Sequence, residues 1–171
     1  ARLRRGDASL GDIKKPVKSD AKKAAGANDK GLEARITTHA AMDHIPRSQW
    51  NALVPEDAPG LRHEFLEALE RSGSCTAATG WTPCHITVHI GETLAGGAPC
   101  YLKHHSYGEF IFDWAWANAY QRAGLKYYPK LLVAVPFTPV SGNRLLHHPE
   151  FESASVRSII AGALPQIATR L

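Results

Sequence analysis

The sequence predicts a mixed domain, α/β in the α+β sense, on three observations. Residues 85–90 alternate apolar and polar side chains, 91–93 can turn and 94–102 return through a Gly-rich stretch, as in a β-hairpin. Leu131-Leu132-Val133-Ala134-Val135 is an uninterrupted apolar run, expected of a strand buried on both faces. Four other segments read as helices, and 44% of the chain is hydrophobic, enough to cover a sheet with helices.

The elements follow in order. Arg35-Ile36-Thr37-Thr38-His39 alternates and is rich in β-branched residues, so it reads as a first strand. Asp43 can open a short helix with Pro46 in its first turn and Ile45, Trp50 and Leu53 inward. Residues 55–60, with two prolines and a glycine, break the chain. Leu61 to Glu70 is an amphipathic helix with Leu61, Phe65, Leu66 and Leu69 on one stripe and Gly73 beyond its end. The hairpin runs from His85 to Ile90, turns at Gly91-Glu92-Thr93 and returns from Leu94 to Leu102. After an irregular stretch, Trp114 to Arg122 is helical and stops at Gly124. The apolar strand leads into a loop over 136–144. Ser153 or Ser155 then opens a last helix with Val156, Ile159, Ile160, Ala163, Leu164 and Ile167 along one side, in which Pro165 should cause a kink or an early end.

Charge divides the chain in two. Residues 1–40 hold ten Lys/Arg against five Asp/Glu, whereas residues 41–171 hold ten against eleven. The segment 1–32 is basic and nearly devoid of bulky apolar residues, so it is expected to be a flexible tail before a domain at 33–171. A nucleic-acid function would reside in that tail alone and would depend steeply on salt. A basic tail also admits a transit peptide and an organellar location, against which its five acids count; otherwise a cytoplasmic location is expected. No window reaches the ~20 apolar residues of a membrane span. Cys75, Cys84 and Cys100 show no C-x-x-C spacing and are expected as free thiols. A zinc site from Cys84, His85, Cys100 and His104 is the sharper alternative, but its spacing matches no standard pattern, and no metal is expected.

Three constellations could carry chemistry. In the first, Tyr101 to Phe110, His104 or His105 can relay a proton near neutral pH. Glu109 can act as a base, and Ser106 is a conceivable nucleophile. The second joins Asp113, Trp114 and Trp116 to Tyr120, Tyr127 and Tyr128, an aromatic groove with one carboxylate that suits a ligand bearing flat and amine groups. The third is the strand, loop and helix around Thr138, Ser141, Gly142 and Arg144. There, backbone amides, hydroxyls and a guanidinium could meet a phosphate. It is neither a Walker loop nor a Rossmann fingerprint.

Several consecutive blocks resemble one bacterial family: Gly80-Trp81-Thr82-Pro83-Cys84-His85, the run Pro99 to Asp113, Tyr127-Tyr128-Pro129-Lys130-Leu131, and Val135 to Gly142. Trp50-Asn51-Ala52-Leu53 and Phe65 to Ser74 fit as well. These resemble the FemAB-like, GNAT-fold predicted N-acyltransferases, labelled as peptidoglycan biosynthesis or recognition proteins, over residues 34–171. The resemblance implies a GNAT-like N-acyltransferase fold, a central mixed sheet flanked by helices whose central strands splay around an activated acyl donor. The donor is acyl-CoA or aminoacyl-tRNA, with nucleic acid a partner only in the second case, and no permanently bound cofactor. Thr138, Val140, Ser141, Gly142 and Arg144, with the helix from about Ser155, would cradle the donor. Glu109, His105 and Asp113 would handle an acceptor amine, and Tyr128 or Tyr127 would protonate the leaving group. Lys103, Ser106, Tyr107, Trp114, Trp116, Tyr127 and Lys130 would line the acceptor. Members look about twice as long, which implies a missing carboxyl-terminal half as a partner of this piece. A non-catalytic module that recognises a cell-wall peptide or sugar in the aromatic groove is the competing expectation.

Overall fold

A computed structural model describes residues 34–170; the tail expected at 1–32 lies outside the described residues. Its strands are β1 (Ala34–His39), β2 (Trp81–Pro83), β3 (His85–Ile90), β4 (Thr93–Ala98), β5 (Cys100–Lys103), β6 (Lys130–Val133) and β7 (Leu146–His147). Its α-helices are α1 (Arg47–Asn51), α2 (His63–Arg71), α3 (Trp114–Arg122) and α4 (Ser153–Ala168). The fold is mixed α+β, with one sheet in the order β1-β3-β4-β7 and another in the order β2-β5-β6.

The two sheets share one long hairpin. The pairs Thr82↔Leu102 and Ile86↔Ala98 keep a single register, and between them the Cys84 amide donates to the Cys100 carbonyl at 2.8 Å. In that register Pro99 faces His85, and proline brings no N–H to the ladder. The ladder lapses there, and the Cys100 amide turns to His85 Nδ1 at 3.3 Å. The opposite edge is likewise one line with an excursion. β6 runs along β5 and Ala134 N reaches Pro99 O at 3.2 Å. After residues 135–145 the chain returns as β7 beside Gly96 and Gly97.

Two neighbouring glycines let helices approach both faces. A Cβ on Gly96 would lie 2.3 Å from Val156 Cγ1 of α4, and one on Gly97 would lie 2.8 Å from Trp50 Cζ3 of α1. Successive strand residues point to opposite faces, so each glycine opens one side. On the α4 side Val156, Ile160, Ala163 and Ile167 pack with Ile36, Ile86, Val88 and Ala95. On the other side Met42, Ile45, Trp50, Leu53, Leu61 and Leu66 pack with Leu94, Val135 and Leu146. Each fully buried Leu, Ile or Val contributes roughly 1.5–3 kcal/mol, so these layers hold the sheet between helices.

Four expectations are corrected. The apolar run at 131–135 is an edge strand: residues 130–133 are half-exposed and only Val135 is buried. Every strand pairing among the described residues is antiparallel, so the splay between central strands of a mixed sheet is not seen there. Pro165 does not end α4, which continues to Ala168. Phe65, expected inside, is 42% exposed, while His63 takes an inward place on α2 with its Nε2 on the Met42 and Ile45 carbonyls, both at 2.9 Å.

Candidate active site at the end of strands β5 and β6

Lys103 closes β5 and Lys130 opens β6, and the two are direct cross-strand partners. Like charges in that position repel. The chain resolves the conflict by sending the two ammonium groups to different partners.

Lys130 Nζ lies between two carboxylates, 2.6 Å from Glu109 Oε2 and in contact with Asp113 Oδ2. The Tyr127 hydroxyl donates to the same Asp113 oxygen at 2.8 Å. Burial alone would raise the Asp113 carboxyl, but hydrogen bonds from Lys130 and Tyr127 outweigh it and hold the group below its usual range. Burial likewise disfavours the Lys130 charge, and the two carboxylates more than restore it, so its pKa rises. Tyr127 is pushed up to about 12 by burial and by its bond to Asp113, so it keeps its proton at neutral pH. Glu109 has one oxygen on Lys130; its Oε1 is buried and without a hydrogen-bond partner, although the side chain is only 8% exposed. A buried carboxylate oxygen with no donor is an open acceptor.

Ser106 ties this cluster together. Its Oγ receives the Asp113 amide at 3.1 Å and lies 2.7 Å from the Tyr128 hydroxyl. These bonds fix the start of α3, and so Asp113, against the strand end. Beside the cluster opens a cleft of about 560 Å³ between β6 and the end of α4, lined by Tyr128, Lys130, Leu131, Val133 and Leu164.

The structure thus joins Glu109, Asp113, Lys130, Tyr127, Tyr128 and Ser106 in one network, and leaves other expected residues elsewhere. His105 accepts from the Tyr107 amide at 3.2 Å and packs against Gly80, so it serves the loop rather than the carboxylates. Lys103, expected at the acceptor, is wholly buried and donates to the Tyr107 carbonyl at 2.8 Å. Tyr107, Trp114 and Trp116 are exposed, with Trp114 stacked on Phe112 at 4.7 Å. The zinc alternative weighed from Cys84, His85, Cys100 and His104 is not assembled. His85 holds Glu70 at 2.7 Å and the Cys100 amide, and no group of three metal-ligating side chains occurs among the described residues.

The expected donor loop is exposed at Val140, Ser141 and Gly142. Val140 N meets Thr138 Oγ1 at 3.3 Å, and the Arg144 guanidinium turns back onto the Val140 carbonyl. The loop does not run straight into a helix, because β7 intervenes and α4 begins only at Ser153 behind Glu152. A carboxylate at that position already balances the positive helix end.

A sequence profile described as FemAB-like, peptidoglycan biosynthesis and recognition, matches residues 41–171. The chain belongs to the FemAB-like family. No curated protein and no solved structure matches it. The FemAB-like profile covers the whole Glu109–Lys130–Asp113 network and its cleft, and also β7 and α4. Among the described residues no helix is long and apolar enough to cross a membrane.

Sequence patterns did not reveal the cleft wall contributed by Leu164, Pro165 and Ala168. They also missed Phe137, which holds φ 57° and packs on Trp81 at 5.3 Å. A left-handed aromatic residue leaves no periodic signature.

Proposed function

We propose that this FemAB-like chain carries the amine-handling part of an N-acyltransferase, which moves an acyl or aminoacyl group from acyl-CoA or aminoacyl-tRNA to an amine acceptor. The observation that carries the reading is Lys130, which lines the β6–α4 cleft, held between Glu109 and Asp113, with one buried Glu109 oxygen that has no hydrogen-bond partner. Acyl transfer to an amine needs a proton acceptor, a donor facing the developing oxyanion, and a proton for the leaving group. Glu109 Oε1 supplies the first and the Lys130 ammonium the second. The Tyr128 hydroxyl, linked to Ser106, supplies the third. The amine nitrogen attacks the acyl carbon, its proton passes to Glu109, and the carrier's C–S or C–O bond breaks as its heteroatom takes a proton from Tyr128. Asp113, kept ionised, orients Lys130 and is a poor base. The carrier's anionic part would lie on the exposed loop Thr138–Arg144. In the same reading the α+β architecture is GNAT-like, its donor channel is the cleft along the edge strand β6, and the reaction is cytoplasmic, where such carriers are found.

The test is hydrogen exchange of the full chain with acetyl-CoA and, separately, aminoacyl-tRNA. Protection over 138–144 and along 130–133 by either donor is expected. No protection by both at millimolar CoA and micromolar tRNA overturns the assignment.

A second reading is favoured by the exposed Phe112, Trp114 and Trp116: a recognition module that binds a cell-wall fragment without turnover. Muropeptide binding undiminished by Glu109→Gln, with no product formed, selects it.

A further inference from the structure

The ammonium of Lys103 has no role in the cluster, yet among the described residues it belongs to the one lysine or arginine that is fully buried. The side chain is wholly buried. Nζ lies 3.8 Å above the Trp81 ring, its cross-strand partner on β2, and donates to the Tyr107 carbonyl at 2.8 Å. Both contacts are to neutral groups, and no carboxylate lies within ion-pair distance among the described residues. A buried charge with only a π face and one carbonyl for compensation is costly to keep.

What Lys103 grips is the turn that carries Glu109. The chain folds back over residues 104–109, with the Glu109 amide on the Ser106 carbonyl at 3.1 Å and Gly108 at φ 80°. This turn has two anchors below it: Ser106, bonded to Tyr128 and to the Asp113 amide, and Tyr107, held by Lys103. Glu109 follows two residues after the second anchor. Tyr107 itself is 67% exposed, so its side chain does not hold the turn down.

We propose that Lys103 is a positioning residue. Its buried ammonium, by clamping the Tyr107 carbonyl, sets Glu109 against Lys130, and loss of that charge slackens the 104–109 turn. The inference does not rest on acyl transfer, since it concerns the turn and not the reaction.

Three groups face the ammonium: Glu109 from the turn and Cys75 from the α2–β2 connection, which favour its charge, and Lys130 from β6, which opposes it. Burial outweighs them and brings Lys103 down to about 8. The neutral amine can still donate, but without the charge assistance that makes such bonds about twice as strong. The clamp is therefore firm at neutral pH and weakens in mildly alkaline solution.

The test uses the full chain labelled with nitrogen-15. In the wild type, the amide signals of Gly108 and Glu109 should shift in one step centred near pH 8. Their exchange should quicken about tenfold beyond the intrinsic effect of base between pH 7 and 9.5. Lys103→Arg, charged throughout, should keep the turn closed and remove the step; Lys103→Met should leave the turn fast at every pH. Signals that do not move from pH 7 to 9.5, or a step that persists in Lys103→Arg, would overturn the proposal. Should Lys103→Met not fold, the wild-type titration and the arginine variant still decide. Failure here leaves the acyl-transfer reading standing, because donor protection of 138–144 is measured at pH 7 on the unaltered chain.

Discussion

Replacing Lys130 by Met keeps the length and apolar stem of the side chain and removes only the charge between two carboxylates. The group it leaves is badly placed: the Glu109 side chain is 8% exposed and that of Asp113 21%, and both had faced the same ammonium. Removing one member of a buried ion pair costs about 3–5 kcal/mol, because the remaining charge is uncompensated. The partial exposure of Asp113 puts the expectation at the lower end, about 3 kcal/mol at pH 7. The pH dependence identifies the cause. In the wild type the lowered Asp113 pKa contributes stability that is present above its unfolded value and lost as pH falls through its folded value. In the variant the carboxylates lack their cation and escape the penalty by taking up a proton. The gap between the two proteins should therefore shrink to roughly 1 kcal/mol by about pH 4. Urea unfolding followed by fluorescence of the four tryptophans measures this at pH 7, 5.5 and 4. Adding Glu109→Gln to Lys130→Met should restore part of the loss at pH 7. A loss that is equal at all three pH values, or no rescue by the double change, would mean that the three side chains are not a charge cluster.

Other expected outcomes test the frame around the site. Gly96→Ala places a methyl 2.3 Å from Val156 Cγ1 and 2.8 Å from the Leu146 carbonyl, and should cost about 1–3 kcal/mol in urea unfolding; a change below ~0.5 kcal/mol would mean that α4 does not seat on β4. Glu70→Ala strips a partner from both His85 Nε2 and the Met42 amide and should cost about 2–4 kcal/mol, whereas Phe65→Ala, at an exposed position, should cost far less. Burial pushes Cys75 up to about 12 and raises Cys84 and Cys100 too. A raised folded pKa gives stability that is intact below the unfolded value near 9 and fades as pH climbs through the folded one. Urea midpoints should fall above pH 9, less so in Cys75→Ala; a midpoint that holds to pH 11 would contradict the burial of these thiols.

Much of the fold is legible from local pattern. The alternation at His85–Ile90 needs only neighbours in sequence, and so does the stripe from Val156 to Ile167; both elements stand where periodicity places them. The edge position of β6 is not legible, because Leu131 to Val133 would look the same under a helix on either face, and a free edge leaves no mark on side-chain types. β7, two residues long, lies below any window, and its intrusion before α4 dismantles the simple loop-to-helix phosphate geometry expected at Thr138–Arg144. In the site, the density of titratable groups over 103–113 marks the segment that carries Glu109 and Asp113. Which of them meet is decided by Lys130, some twenty residues away and brought opposite Lys103 only by the β5–β6 register. Hence Glu109 and Asp113 converge, while His105, adjacent to them in sequence, does not.

Acyl transfer itself can be measured by mass spectrometry of a panel of primary amines incubated with this chain and isotopically labelled acetyl-CoA or aminoacyl-tRNA. Label appearing in an amide of one amine, and falling at least a hundredfold with Glu109→Gln while donor protection of the 138–144 loop persists, is the outcome expected of a proton acceptor at Glu109. Donor bound but labelled product formed equally well by the Gln variant would contradict the role given to the Glu109–Lys130–Asp113 cluster.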